Sequence, residues 1–405
     1  MAMNILYIGY WNLNDPLTVS TIFPHLSILR EFSQVNRILF VNIEREKIRP
    51  LPAVLQSLKI EYYPYLSENT HGFWWEKISD FIEAPRFIEK QVVKYDVDLI
   101  ISRGAPAGGL AWLVFRRTKT PFLVESFEPH AQYMLESGVW KWYDPRYLFQ
   151  VFLEKKQKQK SKGLMPVAHN YRNVLIEEKV QSNKIITVPC AVDQSQFAFS
   201  EEERKSVRKL LSIPRDSIVG IYVGRFSGLY LEDEAFCLYR GAFDFFKEKF
   251  YLILLCPDIY HPWVNAKIEE FKLPGQKIFV KSVAHDQVPG YLSASDFSFA
   301  SYKSSKSMAY LSPVKIAEYW ANGLSVLLTK GIGDENDILL KYPFAGVLFD
   351  PKRIEGLMHD YFREVSDKLL TRCKPENEIP KLVSTHRNVN CVREAYAYYL
   401  KEMER

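Results

Sequence analysis

Three short segments carry residue types that could handle a phosphorylated ligand. In YLSPVKIAEYWANGLSVLLT (Tyr310–Thr329), Ser312 can cap a helix with Pro313 at its first position. The free amides and the positive dipole end of that helix would then face an anion. Lys315 falls in the first turn, against the dipole preference, and a bound anion would offset that cost. Glu318 lies three residues on, one turn deeper on the same face. As an acceptor-only carboxylate it could take both hydroxyls of a ribose while the helix end holds a diphosphate. A surface Glu–Lys pair on an ordinary amphipathic helix has the same spacing, so spacing alone leaves both readings open.

The second segment, VGRFSG (Val223–Gly228), directly follows an apolar, β-branched run. Gly224 at a strand end allows close backbone approach, and Arg225 can give two parallel hydrogen bonds to a phosphate. A tight turn with a solvated arginine is the plainer alternative. The third, FEPHAQYM (Phe127–Met134), puts His130 just past a strand end, where catalytic groups of such domains gather. A capped or packed histidine is the plainer alternative there. Two decoys stand beside these. Asp96-Val-Asp98 imitates a metal-binding Asp-x-Asp but leads into a buried strand, and GIGDEN (Gly331–Asn336) is no dinucleotide fingerprint. No P-loop, H-E-x-x-H or G-x-S-x-G occurs, which argues against P-loop NTPases, common zinc proteases and serine hydrolases.

The elements that must position these residues alternate along the chain. Asn4–Tyr10, Arg37–Ile43, Asp98–Gly104, Pro121–Phe127, Leu164–His169 and Lys184–Cys190 read as buried strands with helical stretches between. A second series runs through Ser217–Phe226, Phe250–Cys256, Gln276–Val283, Asp296–Tyr302 and Leu324–Gly331. This is the βαβ alternation of an α/β protein with two doubly wound parallel sheets. In such sheets ligands sit beyond the carboxyl ends of the strands, so two facing domains would share one cleft. The expected domains are 1–200 and 201–383, with a helix over 384–405 that crosses back onto the first. In that helix Val389, Val392, Ala395, Tyr399 and Met403 form a stripe.

Composition agrees with two soluble domains. Of 405 residues, 47% are hydrophobic and 25% charged, which excludes a mainly disordered or collagen-like chain. Aromatics reach 14% and favour large packed cores. No run approaches ~20 consecutive apolar residues, so no spanning helix is expected. MAMNILYIGYW reads as a first strand rather than a leader. The five cysteines, Cys190, Cys237, Cys256, Cys373 and Cys391, lack metal or disulfide spacing and suit a reducing compartment. A cytoplasmic protein is the expectation.

Net charge is +5, and residues 101–200 carry 14 Lys and Arg against 8 Asp and Glu. That surplus fits phosphates or an anionic surface and is too thin for duplex nucleic acid. Within it, VWKWYDPRYLFQVFLEKK (Val139–Lys156) runs into EKKQKQKSK. Trp140, Trp142, Tyr143, Tyr147 and Phe149 could lie at headgroup level while lysines meet anionic lipid, a peripheral membrane contact. The alternative is core aromatics beside a solvated helix end.

Four segments in order resemble GT-B glycosyltransferases, especially the retaining glycosyltransferase family 4. KIITVPCAVDQSQF (Lys184–Phe197) is similar to their "kI-vipnGvd-F" strand, and VGRFSG to their phosphate loop. HDQVPGYLSASDFSF (His285–Phe299) resembles "h-evp-yl-aDf", and SPVKIAEYWANGLSV resembles "sP-K-xEyma-GlPV". The resemblance covers nearly the whole chain and is strongest from Lys184 to Phe349. It implies a GT-B architecture of two Rossmann-like domains facing a central cleft. For donor binding it implies Gly224, Arg225 and Ser227, then Val283 and His285. Tyr310, Leu311, Ser312, Lys315 and Glu318 complete that set, with Arg225 and His130 as the catalytic pair.

Three departures stand out. Tyr230 replaces the usual lysine five residues after the loop arginine, and Tyr310 replaces the first of two paired glutamates. GYWNLNDPLT replaces the glycine-rich loop after the first strand. Phosphate binding would then lean on Arg225, Lys315 and helix amides, with Lys303 or Lys306 as further candidates.

The expected function is transfer of a sugar, of hexosyltransferase type, from a nucleotide diphosphate sugar to a glycan or lipid-linked acceptor. The resemblance implies a retaining reaction without metal or other cofactor, in surface polysaccharide or glycoconjugate synthesis. Nucleic acid is not an expected partner. A sugar-nucleotide epimerase of the same fold and a non-catalytic nucleotide-sugar-binding protein are the rivals, and donor-dependent sugar transfer separates all three.

Overall fold

The computed structural model describes residues 2–46, 48, 50–67, 73–374 and 376–403. The chain forms two compact units: Met1–Pro189 with Asn390–Arg405, and Cys190–Val389. In the first, β1 (Met3–Gly9), β2 (Val35–Glu44), β3 (Glu61–Leu66), β4 (Leu99–Arg103), β5 (Phe122–Phe127) and β6 (Gly163–Pro166) build one sheet. Its order is β3-β2-β1-β4-β5-β6, with every pair parallel. The second unit holds β7 (Ile218–Val223), β8 (Phe250–Leu255), β9 (Ile278–Lys281), β10 (Phe297–Ala300), β11 (Ser325–Thr329) and β12 (Gly346–Phe349). Its order, β12-β11-β10-β7-β8-β9, is the same winding, again all parallel. Chain order reverses between β1 and β4 and between β7 and β10. Crevices at such switch points are where doubly wound sheets take ligands.

Most strands follow their apolar runs to within two residues. Two do not. Lys184–Cys190 is no strand: a lone bridge joins Ile185 to Leu164, and the Ile186 and Val188 amides donate to Leu164 and Pro166 at 3.1 and 2.8 Å. The run leaves the sheet after Val188, where the next amide in the alternation, that of Cys190, turns to Ser312 Oγ. Conversely β3, EYYPYL, contains Pro64 and carries no clean alternation. It stands at the edge and pairs only with β2, the place where a sheet tolerates proline.

The division falls at 189/190 and 389/390 rather than at 200/201 and 383/384. Residues just past Pro189 bond into the second unit: the Cys190 amide donates to Ser312 Oγ at 2.9 Å and Asn322 Nδ2 to the Phe197 carbonyl at 3.0 Å. Arg387 belongs there too, with its carbonyl accepting from the Val192 amide at 3.3 Å. The core of this unit is aromatic. Phe297 and Phe299 of β10 stack with Phe250, Tyr239 and Phe362, all fully or nearly fully buried. Each such ring is worth roughly 1.5–3 kcal/mol of burial.

The helix Asn390–Met403 clusters with the first unit and buries Val392, Ala395, Tyr396, Tyr399 and Leu400. Val389 and Met403, at the ends of the expected stripe, stay partly exposed, and residues 404–405 lie outside the described set. Tyr399 donates to the Leu164 and Lys184 carbonyls at 3.2 and 3.0 Å. Tyr396 reaches Glu125, a fully buried carboxylate on β5 that also receives Tyr7 Oη at 2.6 Å. His25 Nδ1 lies 3.0 Å and Arg103 Nη1 3.3 Å from the same carboxylate. Burial alone would raise Glu125, but His25, Arg103 and the Tyr396 hydroxyl reverse this and hold it below the usual carboxylate range.

Candidate functional site

The second unit gathers its candidates at the β7/β10 switch point. Gly224 follows β7 with φ +138°, and its amide donates to the Leu255 carbonyl at 2.9 Å. Arg225 comes next, its side chain exposed and its carbonyl accepting from Tyr222 Oη. Ser227 holds a left-handed φ of +68°, and its carbonyl accepts the Tyr230 amide at 3.2 Å. The loop is thus backbone-braced, with Arg225 outermost.

The helix Val314–Ala321 brings Lys315 against this loop. A Cβ on Gly224 would stand 2.5 Å from Lys315 Nζ, so the amine would have to shift, and the φ of +138° itself favours glycine. The ammonium atom is buried and lacks a hydrogen-bond partner. Rings surround it: Tyr230, Tyr222 and Tyr302 have centroids 4.2, 4.6 and 5.4 Å away. Tyr230, standing where related loops carry lysine, is one wall of this enclosure. Burial pushes the Lys315 amine down to about 7, with Glu318 opposing.

Ser312 does not cap this helix. Pro313 is the N-cap residue, with extended ψ of 116° and no side-chain cap, which starts the helix one residue later than expected. The Ser312 hydroxyl instead ties the Cys190 amide and Arg387 Nη1, while Arg387 pairs with the buried Glu335 of GIGDEN. That ion pair fixes the Tyr310–Pro313 approach to the helix. Tyr310 ends a 3-10 turn, Lys306–Tyr310, and Leu311 donates back to the Met308 carbonyl at 3.3 Å. Of the two further lysines, Lys303 pairs with Glu232 at 3.2 Å.

Glu318 is only 6% exposed, which removes the surface-pair reading. Its partner is His285 rather than Lys315: His285 Nε2 lies 3.1 Å from Oε1. His285 opens the turn His285–Gln287 and meets Phe197 edge-on at 5.5 Å, with Val283 two residues before it in the loop after β9. The hydrogen bond to Glu318 raises His285 above its ordinary value, against the pull of burial. The pair's stabilisation is therefore complete below pH ~6.5 and is lost as pH rises through the raised midpoint. NMR titration is expected to place His285 above 6.5, and Glu318→Gln to return it toward 6.5. A midpoint unchanged by that substitution would contradict the pairing.

In the first unit, His130 begins the helix His130–Glu136, its amide donating to the Glu128 carbonyl at 2.8 Å. Its ring meets Trp140 edge-on at 5.7 Å, and burial pushes it down to about 4, so it is neutral at pH 7. Two carboxyl groups nearby were not apparent from local pattern. Glu154, from the helix Pro145–Lys160, accepts the Ala131 amide at 2.9 Å and is pushed by burial up to about 7. Burial also raises Glu128 to about 7, with Arg103 opposing and Glu154 adding. The position of Glu128, two residues before His130 past β5, was the available signal. Asp98 of the Asp-x-Asp decoy accepts the Asn4 amide at 2.7 Å, a structural role. Among the described residues no group of three or more His, Cys, Asp or Glu is arranged to hold a metal ion.

The helix Pro145–Lys160 also shows an inverted polarity. It buries Gln150, Glu154 and Gln157 beside Leu153 and exposes Leu148, Phe149 and Phe152. Just before it Trp142 is 72% and Tyr143 62% exposed, so these aromatics are not core, although Trp140 and Tyr147 are partly covered. A groove of about 560 Å³ beside it is lined by Lys155, Lys158, Lys179 and Lys184 together with Glu154 and Glu178, of which Glu178 pairs with Lys158 at 2.5 Å. Among the described residues no helix is long and apolar enough to cross a membrane.

Two parallel six-stranded units of this winding define the GT-B fold, and solved structures of that class superpose on the chain throughout. The sucrose-phosphate synthase of Thermosynechococcus elongatus matches with a TM-score of 0.75 at 12% identity, over 99% of each chain. Anabaena HepE in complex with UDP-glucose matches at 0.72 and 13% identity, over 99% of this chain and 100% of its own. A glycosyltransferase of Rickettsia africae matches at 0.66 and 15%, over 100% and 99%. At these identities the likeness is one of fold. No protein-family model and no curated protein matches the sequence significantly.

Proposed function

We propose that this chain is a glycosyltransferase using a nucleotide diphosphate sugar. The observation that carries the reading is the meeting of Gly224, Arg225, Lys315 and Glu318 at the switch point of the second sheet. Two cationic groups and a close-approach glycine suit a diphosphate, and a buried carboxylate suits a ribose. His285 occupies Oε1 of Glu318, leaving Oε2 for a ribose hydroxyl. Similar folds that hold UDP and UDP-glucose make uridine nucleotides the first to try.

The reaction proposed is retaining and metal-independent. Charge grows on the departing diphosphate, where Arg225 and Lys315 supply positive charge, and the leaving phosphate oxygen takes the acceptor proton. His130, neutral at pH 7, would orient a sugar hydroxyl. The acceptor proposed is a glycan or lipid-linked sugar, in polysaccharide or glycoconjugate synthesis. Thermal stabilisation by a panel of UDP-, GDP- and dTDP-sugars tests the donor; at 100 times Kd a ligand adds about 2.7 kcal/mol. No stabilisation by any member would sink the reading. Glu318→Ala is expected to weaken donor binding by about 1.5–3 kcal/mol, and unchanged affinity in calorimetry would remove the ribose role.

The exposed Trp142, Tyr143, Leu148, Phe149 and Phe152 beside four groove lysines support peripheral contact with an anionic membrane. Each lysine near the surface adds only ~1 kcal/mol, so binding should be reversible and salt-sensitive. Co-sedimentation with anionic liposomes at low salt, lost at high salt and with neutral lipid, is the expected result. Equal recovery from both lipids, or none at low salt, ends this part of the proposal.

A further inference from the structure

The enclosure around Lys315 is more than a place to bury an amine. Tyr222 closes β7, and Tyr302 follows β10, the two strands flanking the switch point. Tyr230 is locked to Tyr302 by an antiparallel bridge, with ring centroids 5.0 Å apart. Gly224 supplies the fourth side, where any Cβ would collide with Nζ. A desolvated amine with no acceptor is costly when charged, and the rings return part of that cost through their negative faces.

The groups facing Nζ are few. Glu318 stands one turn on along the same helix, its Oε1 taken by His285. The hydroxyls of Tyr222, Tyr230 and Tyr302 are all raised by burial and stay neutral. Arg225, of like charge, acts on Tyr230 from the loop. Glu318 is the one opposite charge among these groups; it opposes the lowering of the Lys315 amine and is shared with His285.

We propose that the tyrosine cage keeps the Lys315 amine uncharged until a diphosphate enters, so that ligand binding takes up a proton at Nζ. The inference rests on the donor-site reading above. The balance is one proton from solvent, forming one N–H bond; the resulting ammonium then donates to phosphate oxygens. Burial lowering the amine to about 7 agrees with this storage. Tyr230 is a positioning residue, acting through Lys315.

Two measurements decide it. In ligand-free protein labelled with ¹³C-lysine, the Lys315 Cε signal, assigned with Lys315→Arg, is expected to titrate near pH 7 rather than near the ordinary ~10.4. Tyr230→Ser, which admits water to Nζ, should raise that midpoint by about one unit or more, the regained hydration outweighing the lost ring face, while Tyr230→Phe leaves it in place. A midpoint in the ordinary lysine range overturns the proposal. Calorimetry with UDP at pH 8, in buffers of different ionisation enthalpy, should show uptake of about one proton per UDP, lost in Lys315→Arg. UDP bound without uptake overturns the proposal and leaves the donor site standing. If UDP, GDP and dTDP all fail to bind, both fall.

Discussion

Arg225→Ala is expected to lower kcat by about 10²–10³-fold while changing KM little, the size seen when one donor to a developing oxyanion is removed. Arg225 is exposed at the end of β7 on a loop braced by Tyr222 and by the Ser227 turn. In the proposed reaction it meets the charge that grows as the sugar–phosphate bond breaks. An interaction stronger in the transition state than in the ground state appears in kcat. Arg225→Lys should recover only part of the rate, because a point charge cannot give two parallel hydrogen bonds. A raised KM with unaltered kcat would reassign Arg225 to docking alone.

Ending the chain after Val389 should remove the cooperative unfolding of the first unit altogether. Five buried side chains leave with the helix Asn390–Met403, and Glu125 loses its contact with Tyr396 while still enclosed with His25 and Arg103. At roughly 1.5–3 kcal/mol per side chain, the loss rivals the ~5–15 kcal/mol that holds a domain together. Tyr396→Phe separates the polar part, because it keeps the ring and deletes the hydroxyl's contacts with Glu125 and with His25 Nδ1. It should cost about 1–3 kcal/mol in urea unfolding. A truncated chain with an unchanged first-unit transition would show that the helix contributes no stability.

Much of the architecture was readable from local pattern because buried parallel strands are short apolar runs, and the runs around Ile5, Ile100, Val219 and Phe299 become sheet centres. Where pattern and structure part, the runs are short or irregular: Lys184–Cys190 makes only a lone bridge, Pro64 hides a strand at an edge, and the four-residue β12 is too short to stand out. At the site, Gly224, Arg225, Lys315 and Glu318 were readable as residue types at strand and helix ends. Their partners were not. Tyr302 and Tyr222 reach Lys315 through the sheet, and Glu335 meets Arg387 across a long stretch of chain, so no spacing rule connects them. Glu128 and Glu154 look like surface carboxylates until the helix Pro145–Lys160 is seen to turn its polar face inward.

The closure of the first unit by Asn390–Met403 also sets an order of events on the ribosome. Tyr396 and Glu125 are 271 residues apart in sequence. At roughly 5–20 residues per second, about 15–50 s separate their synthesis. The unit begun first is therefore closed last, by its helix, after every strand of the second unit has been made, which reverses the usual N-terminal-first sequence of domain folding. During that interval the nascent first unit has a β5 carboxylate without its full set of donors and an open apolar strip awaiting Val392, Tyr399 and Leu400. Such a half-closed sheet is the kind of surface that chaperones hold, and long-range closure of this sort slows folding. A released chain that ends at Val389 should have a protease-resistant second unit while its first is still digested.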